Sequence, residues 1–461
     1  MFFYGPLAIA DSTRQMLQGT CPLFCPAAEA AERRLHALEQ RPPRFPPVKC
    51  FSRSYAGSAV LAAECRPEPV LCAVVAHLLG AVLGHPELGP LDGLVADRLR
   101  AVRADGFVQG LRSLAWCGAL VRQVRYHLAA AYFLGGAPLG GGGGSSSSAA
   151  AAAAEGSGLD AHANGERLGE ALGMARSALA ELLQAGGGGG GGEREAAAAL
   201  ALEVQGYALV LALGAQQAGA ARGVLAQGAQ LARRAPAPAR AAWRSLLAPC
   251  LAWLGGRWPD FLRLVAALPR GCAEQQRQQP ALFFSRCALH RLLPLARAQL
   301  LAALNEALGT PARPPTLPLA ALTGVLRLTS GGGGGLGEGA GVGAGAGGEG
   351  EPAWFRAARF AAQLGLQVLQ GGSGAPCAAS SLFELRRAWA GGEAGAEAAV
   401  GALGVVLNKS LRLALGGSGS SSDEALRALV ALAPLREDFD FFPASACGAR
   451  SPGALADLIS A

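Results

Sequence analysis

Arg98 and Asp105 lie seven residues apart in LVADRLRAVRADGFVQ, residues 94–109, and their spacing makes them the first candidates for chemistry in the chain. Seven residues are two helical turns. Val95, Leu99 and Val102 recur at four- and three-residue intervals, so the stretch reads as a helix with one buried face and with Arg98 and Asp105 at its edge. A lone ion there is expensive to desolvate, which predicts that each is hydrogen-bonded within the helix layer or to the amino-terminal segment. Asp97, Arg100 and Arg103 follow at three-residue intervals on the opposite side and read as a solvated row whose charges pair along the surface. Two fixed ions in a helix bundle are the structural reading of Arg98 and Asp105; a direct functional role is the alternative.

The other reactive residue types exclude more than they suggest. Of 40 basic residues only Lys49 and Lys409 are lysine and neither follows a glycine, so no Walker A loop exists. Gly343, Gly345 and Gly348 match GxGxxG, but inside a glycine tract with no preceding strand. The six histidines form no HExxH and no serine lies in GxSxG, which leaves no nucleophile with a recognisable base. His127 lies beside an apolar helical face without an acidic neighbour and reads as a satisfied core histidine. Cys21 and Cys25 could open a zinc site, yet His36 and Cys50 complete no standard spacing, so a packed arm fixed by Pro22 and Pro26 is the preferred reading. Neither catalysis, cofactor, metal nor small-molecule substrate is expected.

These residues need elements to hold them. A chain of 461 residues with 51% apolar composition can bury a sizeable core, although much of its 66 glycines is concentrated in runs. The net charge of +7 rests almost wholly on arginine, a bidentate donor suited to phosphate. Eleven scattered cysteines argue for reduced thiols in a nuclear or cytosolic compartment. Met1 to Ala10 is apolar but too short for a membrane span and lacks a basic flank, so no membrane association is expected.

The fold class expected is mainly α: an antiparallel helical stack, a TPR-like solenoid, followed by a winged-helix module. Residues 1–56 read as an extended arm and strap, with a helix over Ala27 to Leu38 and Val48 to Tyr55 lying over later helices. A first helical layer occupies 57–139, with helices over Val70 to Leu83, Leu94 to Gly106 and Gly110 to Leu134. Residues 140–158 are a low-complexity linker, read as a flexible insertion. The TPR-like stack spans 159–310, with helices at Gly165 to Gln184, Glu195 to Ala215, Ala218 to Ala232, Ala239 to Leu254, Trp258 to Leu268 and Ala281 to Leu308. Trp243, Trp253, Trp258, Phe261, Phe283 and Phe284 supply its large buried side chains. In 311–415, helices at Thr316 to Leu326 and Trp354 to Gly365 and a β-ribbon turning at Asn408 suit a winged helix, interrupted by a glycine-rich insertion at 330–351. Residues 416–461 are a linker and a tail whose Phe439, Phe441 and Phe442 could dock back or bind another chain.

Arginine clusters are the remaining signal. Arg233, Arg234, Arg240 and Arg244 follow helix ends of the stack, with Arg257, Arg263 and Arg270 next. A solvated helix face explains them; the sharper reading is a sequence-independent phosphate path giving weak, partner-shared RNA binding.

Five motifs in order carry a family resemblance. Asp97-Arg98-Leu99-Arg100-Ala101-Val102-Arg103-Ala104-Asp105 with Gln109 resembles the DRTRAIRQD-type signature of the germinal-centre-associated nuclear protein (SAC-three/GANP) family. Gly19-Thr20-Cys21-Pro22-Leu23-Phe24-Cys25-Pro26 resembles its GTCPDMCP opening, and Val48-Lys49-Cys50-Phe51-Ser52-Arg53-Ser54 its VKxYSRS segment. Arg66-Pro67-Glu68-Pro69-Val70-Leu71 resembles its RPxPVL step into a helix, and Glu203-Val204-Gln205-Gly206-Tyr207 its ExQGY. The resemblance implies a scaffold of the second transcription-export (TREX-two) complex in messenger RNA export at nuclear pores, in the nucleus. It also implies pairing with a PCI-domain protein through the winged helix, near Asn408, Lys409 and Arg412, with a small acidic Sem-type peptide bracing the partner. The compact length is similar to the family's small centrosome-associated member, so a role in centrosome duplication or the spindle is the alternative.

Overall fold

The computed structural model describes residues 17–35, 46–52, 61–82, 88–133, 161–185, 191–268, 280–308, 316–327, 367–369 and 404–406, with Phe355, Ala357, Ala358 and Ala361. It is mainly helical. Helix α1 spans Ala27–Leu35; a turn of 3-10 helix at Ala62–Glu64 precedes α2, Glu68–His77, which continues as a π-turn over Leu78–Val82. Helix α3 is Leu88–Val108, α4 Leu114–Phe133, α5 Ala161–Gln184, α6 Gly191–Gly214 and α7 Ala218–Ala232. Helix α8 is Ala237–Leu254, α9 Trp258–Ala266, α10 Pro280–His290 and α11 Leu293–Leu308.

Each helix buries the face its spacing marks. Val95, Leu99 and Val102 of α3 are wholly buried, as are Val124 and Leu128 of α4. Along the middle of the chain the helices pack in sequence, α4 on α5, α5 on α6, α6 on α7 and α8, and α8 on α9. Helix α10 then returns to pack against α4, α6 and α8, so the stack is not purely one-dimensional. Trp253 meets Trp258 and Phe261 edge-on at 5.0 and 5.1 Å, and Phe283 meets Phe284 at 4.8 Å, all within one continuous core.

Glycine approaches set some of these distances. A Cβ on Gly206 of α6 would lie 2.8 Å from Leu246 of α8, and one on Gly106 of α3 would overlap the Trp116 ring of α4. Among the described residues α6 is the one helix long and apolar enough to cross a membrane by composition. Yet 67% of its most apolar stretch is buried in the core, and it carries Glu203 into that core.

Several boundaries differ from the sequence expectation. The single helix expected over Ala281 to Leu308 is two, because Pro294 has no N–H for an unbroken ladder and its ring would clash with the carbonyl one turn back. The break is closed by short bonds from Arg291 N to Ala288 O and from Leu292 N to Leu289 O. Helix α6 begins at Gly191, four residues before the start expected at Glu195. Thr316 to Leu326 is not one helix: Thr316–Pro318 is strand β1 and helix α12 starts at Leu319, where Pro318 caps with an extended backbone. Strand β2 is Gln367–Leu369 and β3 is Gly404–Val406, and the sheet order is β1-β3-β2. Val405 stands opposite both Leu317 and Val368 in antiparallel register. Both edges of β3 at 404–406 are thereby occupied by distant strands instead of the ribbon partner expected after Asn408. Asn408, Lys409 and Arg412, the linker 140–158, the insertion 330–351 and the tail 416–461 lie outside the described residues.

Candidate functional site

The amino-terminal arm, the strap and α3 converge on Asp105. Its Oδ1 accepts from Lys49 Nζ at 2.8 Å, and its Oδ2 from Arg66 Nε at 2.7 Å and Arg66 N at 3.3 Å. Asp105 is 4% exposed and Arg66 wholly buried. Lys49 also donates to Glu64 O at 2.7 Å, and Arg66 to Phe24 O at 3.2 Å. One helical turn on, Gln109 donates to Arg66 O and Asp105 O at 2.8 and 2.9 Å and accepts from Gly19 N at 2.9 Å. Gly19 is required there, since a Cβ would come within 2.5 Å of Cys65 O. One carboxylate thus ties three segments that are remote in sequence, and two cations flank it.

The arm's cysteines serve this packing. Cys21 N donates to Cys65 O at 3.0 Å and Cys21 Sγ to Leu23 O at 3.5 Å. Cys25 lies 3.9 Å from the Arg33 guanidinium, which donates to Val48 O at 2.7 Å. Burial first, then the Glu29 carboxylate, pushes the Cys25 thiol up to about 11. Burial and Asp105 push Cys65 up to about 11 as well. Buried protonated thiols of this kind are inert. Pro22 and Pro26 border the turn before α1, and Pro67 caps α2 with an extended backbone.

The row Asp97, Arg100, Arg103 is not a solvated face. Arg103 is 2% exposed and donates to Gln123 at 3.0 Å and Glu170 at 3.3 Å. Arg100 is half-buried, shares Glu170 at 3.0 Å and stacks 4.1 Å from the centre of the Phe51 ring. Asp97 accepts from Phe51 N at 3.2 Å and from the buried Arg98. Helix α5 and the strap cover the face that a single-helix reading leaves to water. Ser52 is half-buried, and Arg53 lies outside the described residues.

A second buried cluster joins α4 to α6. Arg125 Nε and Nη2 clamp the two oxygens of Glu203 at 2.7 and 3.0 Å, and Tyr207 donates to Glu203 at 2.6 Å. Burial and the Glu203 charge push the Tyr207 hydroxyl well above its ordinary value. His127 is wholly buried; its Nδ1 meets Asn164 Oδ1 at 2.8 Å, and Nε2 has no partner. Burial, then the Arg103 charge, lowers its pKa to about 3.

Sequence reasoning named Arg98, Asp105, Gln109 and Tyr207 but passed over Lys49, Arg125, Glu170 and Glu203 as charge partners. Lys49 had a signal, being one of two lysines among forty basic residues. The others sit on helices that only the tertiary fold brings together.

The stack arginines do not form one path. Arg233, Arg234 and Arg244 are exposed, whereas Arg240 donates to Ala235 O at 2.9 Å. Arg257 and Arg263 both bond Asp260, at 3.3 and 3.1 Å, which offsets one of their two charges. Arg270 lies outside the described residues.

Both buried carboxylates have each oxygen engaged by a cation or hydroxyl, so what they do is fix helices, and the class defined is a mainly helical domain locked by internal ion clusters. Residues 21–220 match the SAC3/GANP family. The chain is also 32% identical over 129 residues to SAC3 family protein 1 of Schizosaccharomyces pombe, a match covering 25% of this chain and 12% of that protein.

Proposed function

We propose that the chain is a non-enzymatic helical scaffold of messenger RNA export that pairs with a PCI-domain protein through a carboxy-terminal winged helix at the nuclear periphery. The observation carrying this reading is the family match over 21–220, whose motif residues Asp105, Gln109 and Tyr207 all serve internal packing. The sequential packing from α4 to α9 supports the TPR-like description. Supporting the winged helix, β1 runs straight into α12, Phe355, Ala357, Ala358 and Ala361 are helical, and β2 and β3 complete a sheet with β3 central. A small acidic Sem-type peptide would brace the partner, and RNA contact would be weak, non-specific and shared with it.

Imaging the tagged full chain through interphase and mitosis, with identification of co-purifying PCI-domain proteins, tests the reading. A nuclear rim and a stoichiometric PCI-domain partner are expected. Paired centrosomal dots without such a partner would replace it with the centrosome or spindle role.

A further inference from the structure

Between α5, α6 and α7 runs an open groove of about 1080 Å³. Leu183, Val204 and Leu231 give it an apolar floor, and Arg176, Arg233 and Arg234 line it with positive charge. Among the described residues no carboxylate pairs with these three arginines. Gln205, 8% exposed, donates to Gln227 Oε1 at 2.8 Å, while its own buried Oε1 has no donor. Arg176 Nη2 donates to the same Gln227 oxygen at 3.2 Å, and its buried Nε has no acceptor.

An unmet acceptor and an unmet donor side by side suit a peptide backbone, which offers an N–H and a C=O in every residue. The unopposed arginines ask for carboxylates, and the floor asks for apolar side chains. Single-stranded nucleic acid fits less well. Among the described residues no aromatic side chain lines the groove to stack a base, and phosphate has no proton to give Gln205 Oε1.

We propose that this groove is the docking site of the chain's own segment Glu437-Asp438-Phe439-Asp440-Phe441-Phe442, which alternates carboxylates with phenylalanines. The carboxylates meet Arg233 and Arg234, the backbone meets Gln205 and Arg176, and phenylalanine covers the floor. The 31 residues that follow Val406 and end at Glu437 could extend at most about 100 Å. Tethering also gives the segment a millimolar-order local concentration. This contact is independent of the export reading.

The test uses full-length protein and a fluorescent peptide of residues 434–445. In one variant Glu437→Gln, Asp438→Asn and Asp440→Asn disarm the tethered segment. That variant is expected to bind the added peptide at least fivefold more tightly than the unaltered chain, whose groove is already filled. Adding Arg233→Ala and Arg234→Ala, both exposed and harmless to folding, should weaken peptide binding at least tenfold. Indifference to the arginines, or equal binding of a scrambled peptide, would overturn the proposal. So would tighter, arginine-dependent binding of a uridine oligonucleotide, which would make the groove a nucleic-acid path.

Discussion

Lys49 Nζ lies 2.8 Å from Asp105 Oδ1 across 56 residues of sequence, and this ion pair helps pin the strap to the third helix. Because Arg66 holds the other oxygen at 2.7 Å, Asp105 is paired with two buried cations at once. Its loss should cost more than the loss of either partner. Asp105→Asn should destabilise by about 3–5 kcal/mol, and Lys49→Met, which leaves Asp105 with Arg66, by about 1–3 kcal/mol. Arg100→Ala, on a half-exposed pair, should cost about 1 kcal/mol or less. Urea denaturation of the three variants checks the order; equal midpoints for Asp105→Asn and Arg100→Ala would contradict it.

The Glu203 cluster should behave as a unit. Tyr207→Phe removes a hydrogen bond to a charged acceptor and should cost about 1.5–3 kcal/mol. Glu203→Gln removes the bidentate carboxylate from buried Arg125 and should cost about 3–5 kcal/mol. The double variant should fall short of the sum by about 0.5–3 kcal/mol, as a double-mutant cycle measures; simple additivity would separate the two residues.

His127 predicts acid sensitivity. Its pKa is about 3 when folded and near 6.5 when unfolded, so between these values the unfolded chain binds the extra proton. The contribution is complete above pH 6.5 and is lost as pH falls toward 3, with a slope of at most about 1.4 kcal/mol per unit. From pH 7 to 5 the unaltered chain should lose about 2 kcal/mol more than His127→Gln. Parallel pH profiles from denaturation at each pH would refute a neutral, buried imidazole.

Two glycine substitutions should have opposite signs. Gly106→Ala drives a methyl into the Trp116 ring and should cost about 1–3 kcal/mol. Gly118→Ala, in α4 with nothing within 4 Å of the new Cβ, should stabilise by about 0.5–1 kcal/mol. Thermal midpoints moving in the same direction would show that the α3–α4 contact is looser than its geometry.

The sequence by itself determined the helical class, the buried face of α3 and the bounds of α7, because apolar periodicity is a local property that survives without knowledge of neighbours. It also marked Asp105 as an ion in need of a partner, since desolvation cost depends only on burial. It could not tell that Arg103 is buried, because α3 carries no mark showing that α5 and Glu170 close over its polar face. Nor could it place Glu203 opposite Arg125, 78 residues away, or β3 between strands that begin at Thr316 and Gln367. Those pairings depend on which surfaces meet after chain reversal, and helical spacing gives the direction of a side chain without naming what stands across from it.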